Sequence, residues 1–186
     1  MAYIEIIEYD NAVGQLKEIY DDLVDSRGKL AQVHKIQSLN PKSIIDHMNL
    51  YMTLMYGKSP LKRNLREMMA VVVSRANDCE YCQVHHAEAL AHYWKDNEKV
   101  NQLRLDYHCA DLSALELALC HLSWHLTKFP GQHTENEFIK PLKDLGLDDR
   151  AVLDATMIIA YFNFVNRIVL GLGVNLESNP GGYNYN

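Results

Sequence analysis

The sequence has no run of basic residues and a deficit of positive charge: 18 Lys and Arg face 24 Asp and Glu, a formal net charge of −6. Proteins that grip nucleic acid usually carry a basic surplus, and an anionic membrane surface is met by a polybasic cluster. Neither partner is expected. An uninterrupted apolar stretch is also missing. The longest, over 152–174, is broken by Asp154, Asn163, Asn166 and Arg167, which predicts a buried helix and no membrane span. The first ten residues carry Glu5, Glu8 and Asp10 where a secretory leader would be basic and then apolar, so a cytoplasmic protein is expected. No segment alternates apolar and polar residues as a half-buried strand does, and there is no evident internal repeat. Cysteine is sparse. In the cytoplasm the four present are not expected to form a structural disulfide framework.

What is present is helical periodicity along 186 residues, a length that suits one compact domain with its own core. In 12–26, Val13, Leu16, Ile19, Tyr20 and Leu23 recur at three- and four-residue spacings, the pattern of an amphipathic helix. Further helices are expected over 31–38, 43–56, 61–76, 79–94, 97–103, 111–127, 134–145 and 148–170. The run Met68 to Val73 is apolar enough for a buried strand, but its length and the flanking Arg63, Arg66 and Glu67 favour helix. Asp78 suits the N-cap of 79–94, and Asp111 or Ser113 that of 111–127. Thr134 with Glu137 three residues on looks like a capping box, and Gly146 looks like a C-cap. The expectation is an all-α bundle in a single domain over 1–186. The polar, Gly-rich tail 178–186 is expected to be loose or used in an interface.

The chemistry gathers between Glu67 and His86. Cys79-Glu80-Tyr81-Cys82 is a C-x-x-C at an expected helix start, with both cysteines on one side a turn apart. Unpaired N–H groups and the helix dipole favour a thiolate there, the form of cysteine that attacks a peroxide or a disulfide. The spacing also lets the two sulfurs bond once one is oxidised. His86, four residues after Cys82, shares its face and can take the thiol proton and return it. Glu67 sits beside an apolar run and can orient or charge-balance that histidine, and Tyr81 offers a phenolic hydrogen bond. Other readings stay open. Cys79, Cys82 and His86 would supply three zinc ligands, although no second Cys/His pair at finger spacing is present. Glu67 would equally pair with Arg63 at i,i+4 on a solvated face. Tyr81 alone reads as a packing residue. His85, about 100° round the helix from His86, reads as exposed or structural.

At these residues the chain resembles the AhpD-like alkylhydroperoxidases of the carboxymuconolactone decarboxylase superfamily. Their pattern is a glutamate, eleven residues, Cys-x-His/Tyr-Cys, three residues and a histidine; Glu67, Cys79, Tyr81, Cys82 and His86 meet every spacing. The stretches Gly14 to Tyr20 and Tyr161 to Arg167 look like the longer, peroxidase-related branch. The resemblance implies an AhpD-like helical bundle and a thiol-dependent oxidoreductase that reduces alkyl or hydrogen peroxide. In it Cys82 is the peroxidatic nucleophile, deprotonated by His86. Glu67 supports His86 through a water, and Cys79 resolves the sulfenic acid as a Cys79–Cys82 disulfide, which an external dithiol or protein reductant reopens. Tyr81 stands where the best-known members have histidine. No metal, haem or flavin cofactor is implied, and a homo-oligomer is.

Two functions compete with the peroxidase. A decarboxylase-type lyase has no evident need of two cysteines spaced to bond, and a redox sensor would cycle the disulfide without turning over peroxide. Elsewhere, His121 and His125 stand at i,i+4 with no completing carboxylate and read as structural. His108, Cys109 and Cys120 belong to no partner pattern, and Trp94 and Trp124 read as packing residues. Asn163, Asn166 and Arg167 interrupt an apolar helix and need partners; a structural network at an interface is preferred to a pocket wall.

Overall fold

In the computed structural model the described residues, 2–183, contain nine α-helices and no strand, as the periodicity predicts. Helix α1 (Gly14–Arg27) stops where Gly28 takes φ +76°, a left-handed C-cap whose N–H reaches the Val24 carbonyl at 2.8 Å. Short α2 (Gln32–Lys35) leads to α3 (Pro41–Tyr51), which has Pro41 in its first turn, where a missing N–H has no partner to lose. The helix expected over 43–56 then widens into a π-turn, Met52–Tyr56, closed by Gly57 N–H on Met52 O.

Helix α4 (Arg63–Ala76) is the axis of the bundle. Its run from Met68 to Val73 is helical, with every residue at 1% exposure or less. Helices α5 (Glu80–Trp94), α7 (Ala114–Lys128) and α9 (Asp149–Gly171) pack around it. A helix enclosed on all sides has no polar face, which is why this run showed no period. Each large apolar side chain so buried contributes roughly 1.5–3 kcal/mol. Arg66 is only 5% exposed. Its guanidinium donates to the carbonyls of Leu61, Leu54 and Gly57 at 2.8–3.0 Å, clamping the start of α4 to the π-turn.

The link between α4 and α5 departs from expectation. Asp78 is not the cap; it takes φ +55°, a left-handed conformation that Asp tolerates, and turns its carboxylate out to Arg75 at 3.1 Å. The chain reverses within three residues, so Cys79 becomes the N-cap, its N–H on Ser74 O at 2.9 Å. Helix α6 (Asn97–Leu105) is capped by Asp96. For α7 the cap is Ser113, in a full capping box with Glu116, and Asp111 is not used. The helix expected over 134–145 divides into a π-turn, Glu135–Ile139, and α8 (Lys140–Asp144); Thr134 makes no side-chain cap bond. Pro141 brings no N–H to continue the ladder. Gly146, at φ +95°, follows α8, and Asp148 caps α9 by accepting from Ala151 N–H at 2.8 Å.

By length and composition α9 would suffice to cross a membrane, yet half of its apolar window lies inside the bundle. Its polar residues are bonded there. Asp154 accepts from Ser59 at 2.5 Å and Arg150 at 2.8 Å. The Asn77 side chain donates to Asn163 and Asn166 at 3.0 Å, Asn166 donates to Ser74 at 3.3 Å, and Arg167 donates to Asn163 at 2.8 Å. The expected polar network therefore lies within the chain, between α9 and the end of α4. The tail, as far as it falls in the described residues, is fastened: Lys29 donates to the Asn179 and Gly181 carbonyls, and Gly182 N–H meets Glu88 at 2.9 Å. Residues 184–186 lie outside the described part.

Arg66→Ala should lower unfolding free energy by roughly 3 kcal/mol, because three buried carbonyls lose a charged donor. Urea unfolding of the two proteins measures this, and a loss under 1 kcal/mol would remove the clamp from the account.

Candidate active site

The turn that makes Cys79 an N-cap also sets the state of its sulfur. Cys82, the third residue of α5, turns its thiol toward the Cys79 sulfur. The Cys82 thiol bond is the larger effect, burial opposes it, and the outcome holds the Cys79 thiol below its ordinary value. The same bond, burial and the neighbouring charge push Cys82 well up, while a bond from the Asn166 amide pulls the other way. The pair therefore gives up its first proton readily and its second with difficulty. Both sulfurs are buried and neither is in a disulfide. Only Cys82 of the two reaches the wall of a cavity of about 80 Å³.

His86 lies on that wall as well. Its Nδ1 is 2.7 Å from Oε2 of Glu67. A carboxylate acceptor there fixes the proton on Nδ1 in the neutral ring and leaves Nε2 as the basic nitrogen. The contact is direct, so the bridging water implied by the family resemblance is not needed. Glu67 also takes Nε and Nη2 of Arg63 on Oε1 at 2.8 and 2.6 Å. The i,i+4 pairing is thus real, but its face is enclosed: Glu67 has no exposed surface. Burial alone would raise its carboxyl. The charges and hydrogen bonds of His86 and Arg63 outweigh burial and hold it below the usual range.

Tyr81 is drawn elsewhere. Its hydroxyl donates to Oε1 of Glu177 at 2.9 Å and accepts from Val33 N–H at 3.2 Å. His85, expected to be exposed or structural, pairs through Nε2 with Oε2 of Glu177 at 2.9 Å and lies tilted against Tyr81 with centroids 4.5 Å apart. Burial works against the Glu177 charge, but His85 and the Gln32 N–H bring its carboxyl down to about 2. Two histidine–glutamate pairs thus flank one cavity. Sequence reasoning missed the second because Glu177 follows the last helix with no motif around it.

The cavity is completed by groups far apart in the chain. His47 receives the Gln37 side-chain amide on Nδ1 at 2.8 Å and so donates from Nε2 to Tyr161 Oη at 2.7 Å. Burial lowers His47 to about 4 and, with His47 and Arg27 nearby, His34 to about 3. Both rings line the cavity with Arg27, Tyr51, Phe162 and Tyr183. Among the remaining candidates, Cys120 is buried and Cys109 exposed, and both tryptophans pack against the core. His121 and His125 contact Phe138, with ring centroids 5.2 and 4.2 Å away. Among the described residues no group of three or more His, Cys, Asp or Glu is arranged to hold a metal ion.

Residues 46–120, which include Glu67, Cys79, Cys82 and His86, match the model of the carboxymuconolactone decarboxylase family. A peroxidase-related protein from Silicibacter sp. TM1040 superposes with TM-score 0.87 at 24% identity, over 95% of this chain and 92% of that one. A peroxidase-related alkylhydroperoxidase AhpD core from Ralstonia eutropha JMP134 does so with TM-score 0.86 at 22% identity, over 95% and 93%. The chain has an AhpD-like fold, and its residues 46–120 are similar to the carboxymuconolactone decarboxylase family. The same fold is shared with the debrominase Bmp8, solved as a cysteine variant with 2,3,4-tribromopyrrole, with TM-score 0.78 at 18% identity over 93% of this chain and 90% of that one. In this chain the motif Cys82 and His86 line one cavity with Glu67 and Cys79 behind them, while the motif tyrosine is turned toward Glu177.

The buried histidines give the AhpD-like domain a pH signature. An unfolded histidine binds its proton near pH 6.5, whereas folded His47 does so near 4. The unfolded state therefore takes up more protons in between, and stability falls as pH drops from about 6.5 to about 4. His47→Asn should flatten that slope in urea titrations at stepped pH. An unchanged slope would mean His47 does not titrate as its burial requires.

Proposed function

We propose that the protein is a thiol-dependent peroxidase, an AhpD-like oxidoreductase that reduces alkyl or hydrogen peroxide through a Cys79/Cys82 dithiol–disulfide cycle. The observation that supports this most is that Cys82 and His86 share one cavity wall while Cys79 lies in hydrogen-bond reach behind Cys82. Resting charge favours Cys79, but access favours Cys82, and a peroxide must touch the sulfur it oxidises. In this reading Nε2 of His86 takes the Cys82 proton, with Glu67 and Arg63 stabilising the cation that forms. The Cys82 thiolate attacks a peroxide oxygen, the O–O bond breaks, and the sulfur becomes a sulfenic acid. The alkoxide leaves as alcohol with the proton from His86. Cys79 then attacks Cys82, the disulfide forms, and hydroxide departs as water after taking a proton. An external dithiol reduces the disulfide and is itself oxidised.

Tyr81 acts in this scheme as a positioning residue for Glu177 and His85 and takes no part in the thiol relay. The cycle calls for a peroxide and a dithiol or protein reductant as partners and for no bound cofactor. It suits the cytoplasm, where such reductants keep thiols open. A lyase of the type named by the family has no use for two sulfurs in bonding reach. A homo-oligomer accounts for the outer stripe of α9, where Leu153, Met157 and Phe164 are 39–53% exposed. Met157→Lys with Phe164→Asp should lower the mass seen in sedimentation, and an unchanged mass would move the interface elsewhere.

The mechanism is tested by peroxide consumption with dithiothreitol as donor. Cys82→Ser and Cys79→Ser should each lose at least about 100-fold in turnover, and Cys79→Ser should accumulate a sulfenic acid at Cys82 that dimedone traps. His86→Ala should slow alkylation of Cys82 near neutral pH. Full turnover in Cys82→Ser would eliminate this nucleophile, and a dimedone adduct on Cys79 instead would reverse the two roles.

A further inference from the structure

The cavity beside Cys82 holds a cation that the peroxide cycle does not use. Arg27, in the last turn of α1, lines the same wall as Cys82 and His86. Its guanidinium lies 5.0 Å from the ring centroid of Tyr51, 5.9 Å from that of Tyr56 and 5.6 Å from that of Tyr183. Aromatic faces attract a cation, and the Tyr51 and Tyr56 hydroxyls hydrogen-bond to it, but none of them supplies a negative charge. Among the described residues no carboxylate forms an ion pair with Arg27. The nearby acids are taken: Glu67 by Arg63 and His86, and Glu177 by Tyr81, His85 and Gln32 N–H.

Two more polar atoms of this wall lack partners. Nδ1 of His34 and the hydroxyl of Tyr183 are buried without a hydrogen bond, and His34 as a whole is 7% exposed. Buried polar atoms nearly always have partners. Here a guanidinium, an imidazole nitrogen and a phenol line one cavity whose remaining surface includes the apolar Val33, Ala89, Phe162 and Val165. The guanidinium fork matches a carboxylate in shape as well as charge. A neutral ligand would leave its charge unpaired, which is how polar pockets reject analogues.

We propose that Arg27, with Tyr183 and His34, forms a carboxylate-recognition subsite, and that the preferred substrate is an organic hydroperoxide whose apolar body separates a carboxylate from the peroxide. The substrate identity rests on the peroxidase reading; the subsite does not. Binding is therefore measured apart from turnover, by calorimetry of the full chain with 4-isopropylbenzoate and with 4-isopropylbenzamide. The acid should bind at least about tenfold more tightly than the amide. Arg27→Gln should erase the preference and Arg27→Lys restore part of it. Equal affinity of the unmodified protein for acid and amide overturns the subsite, whether or not the variants fold. Turnover is then compared for cumene hydroperoxide and its para-carboxylate. The ratio of their kcat/KM values should favour the acid and fall in Arg27→Gln. If neither is reduced while the acid still binds through Arg27, the peroxidase reading fails and the subsite stands. If both are reduced at equal kcat/KM, the substrate preference is overturned and the peroxidase stands.

Discussion

Glu67 is a carboxylate with no solvent contact, in the second turn of the enclosed helix α4. A charge in that position is tolerable only where opposite charge and hydrogen bonds replace water. Arg63, one turn back on α4, occupies one oxygen, and His86, reaching across from α5, occupies the other. The second contact ties α5 to α4 in rotation as well as position, because the carboxylate admits only one orientation of the ring. That orientation decides which nitrogen of His86 is basic. Cys82, one turn before His86, reaches the same cavity. Removing Glu67 would therefore disturb the alignment of two helices and the polarity of the cavity together.

The cysteine pair shows how a local turn becomes chemistry. Asp78 takes the left-handed position, Cys79 falls to the N-cap, and its sulfur receives the Cys82 thiol. One proton is thus made easy to lose and the other hard. The proton is held less tightly on the inner sulfur, while the outer one faces the cavity. The neighbouring polar network of Asn77, Asn163, Asn166 and Ser74 matters for the same reason, since its Asn166 amide is the one group that eases the charge on Cys82.

Much of this was legible in the sequence, and the failures are instructive. The amphipathic spacing of α1 and the capping serine of α7 are local signals and read correctly. The strand-like run of Met68 to Val73 was ambiguous because a helix buried all round loses its period. The capping box at Thr134 failed because Pro141 interrupts the ladder seven residues on and a wide turn takes its place. Asp78 failed as a cap because the reversal between α4 and α5 demanded a left-handed residue. Of the two readings of His85 the structural one holds, through Glu177, a partner that rotation about the helix axis does not reveal.

By itself the sequence determined an all-helical chain, a thiol pair at a helix start, and a base and an acid at fixed distances from it. These depend on neighbours a few residues apart, whose relative placement the helix itself dictates. Only the tertiary structure decided that Glu67 serves Arg63 and His86 at once, that Tyr81 belongs to Glu177, and that Cys82 faces the cavity. It also decided that Arg27, from the first helix, lies at that cavity beside Cys82. Such pairings join residues as distant in the chain as Tyr81 and Glu177, 96 positions apart, and their energy comes from excluding water around groups that no local pattern brings together.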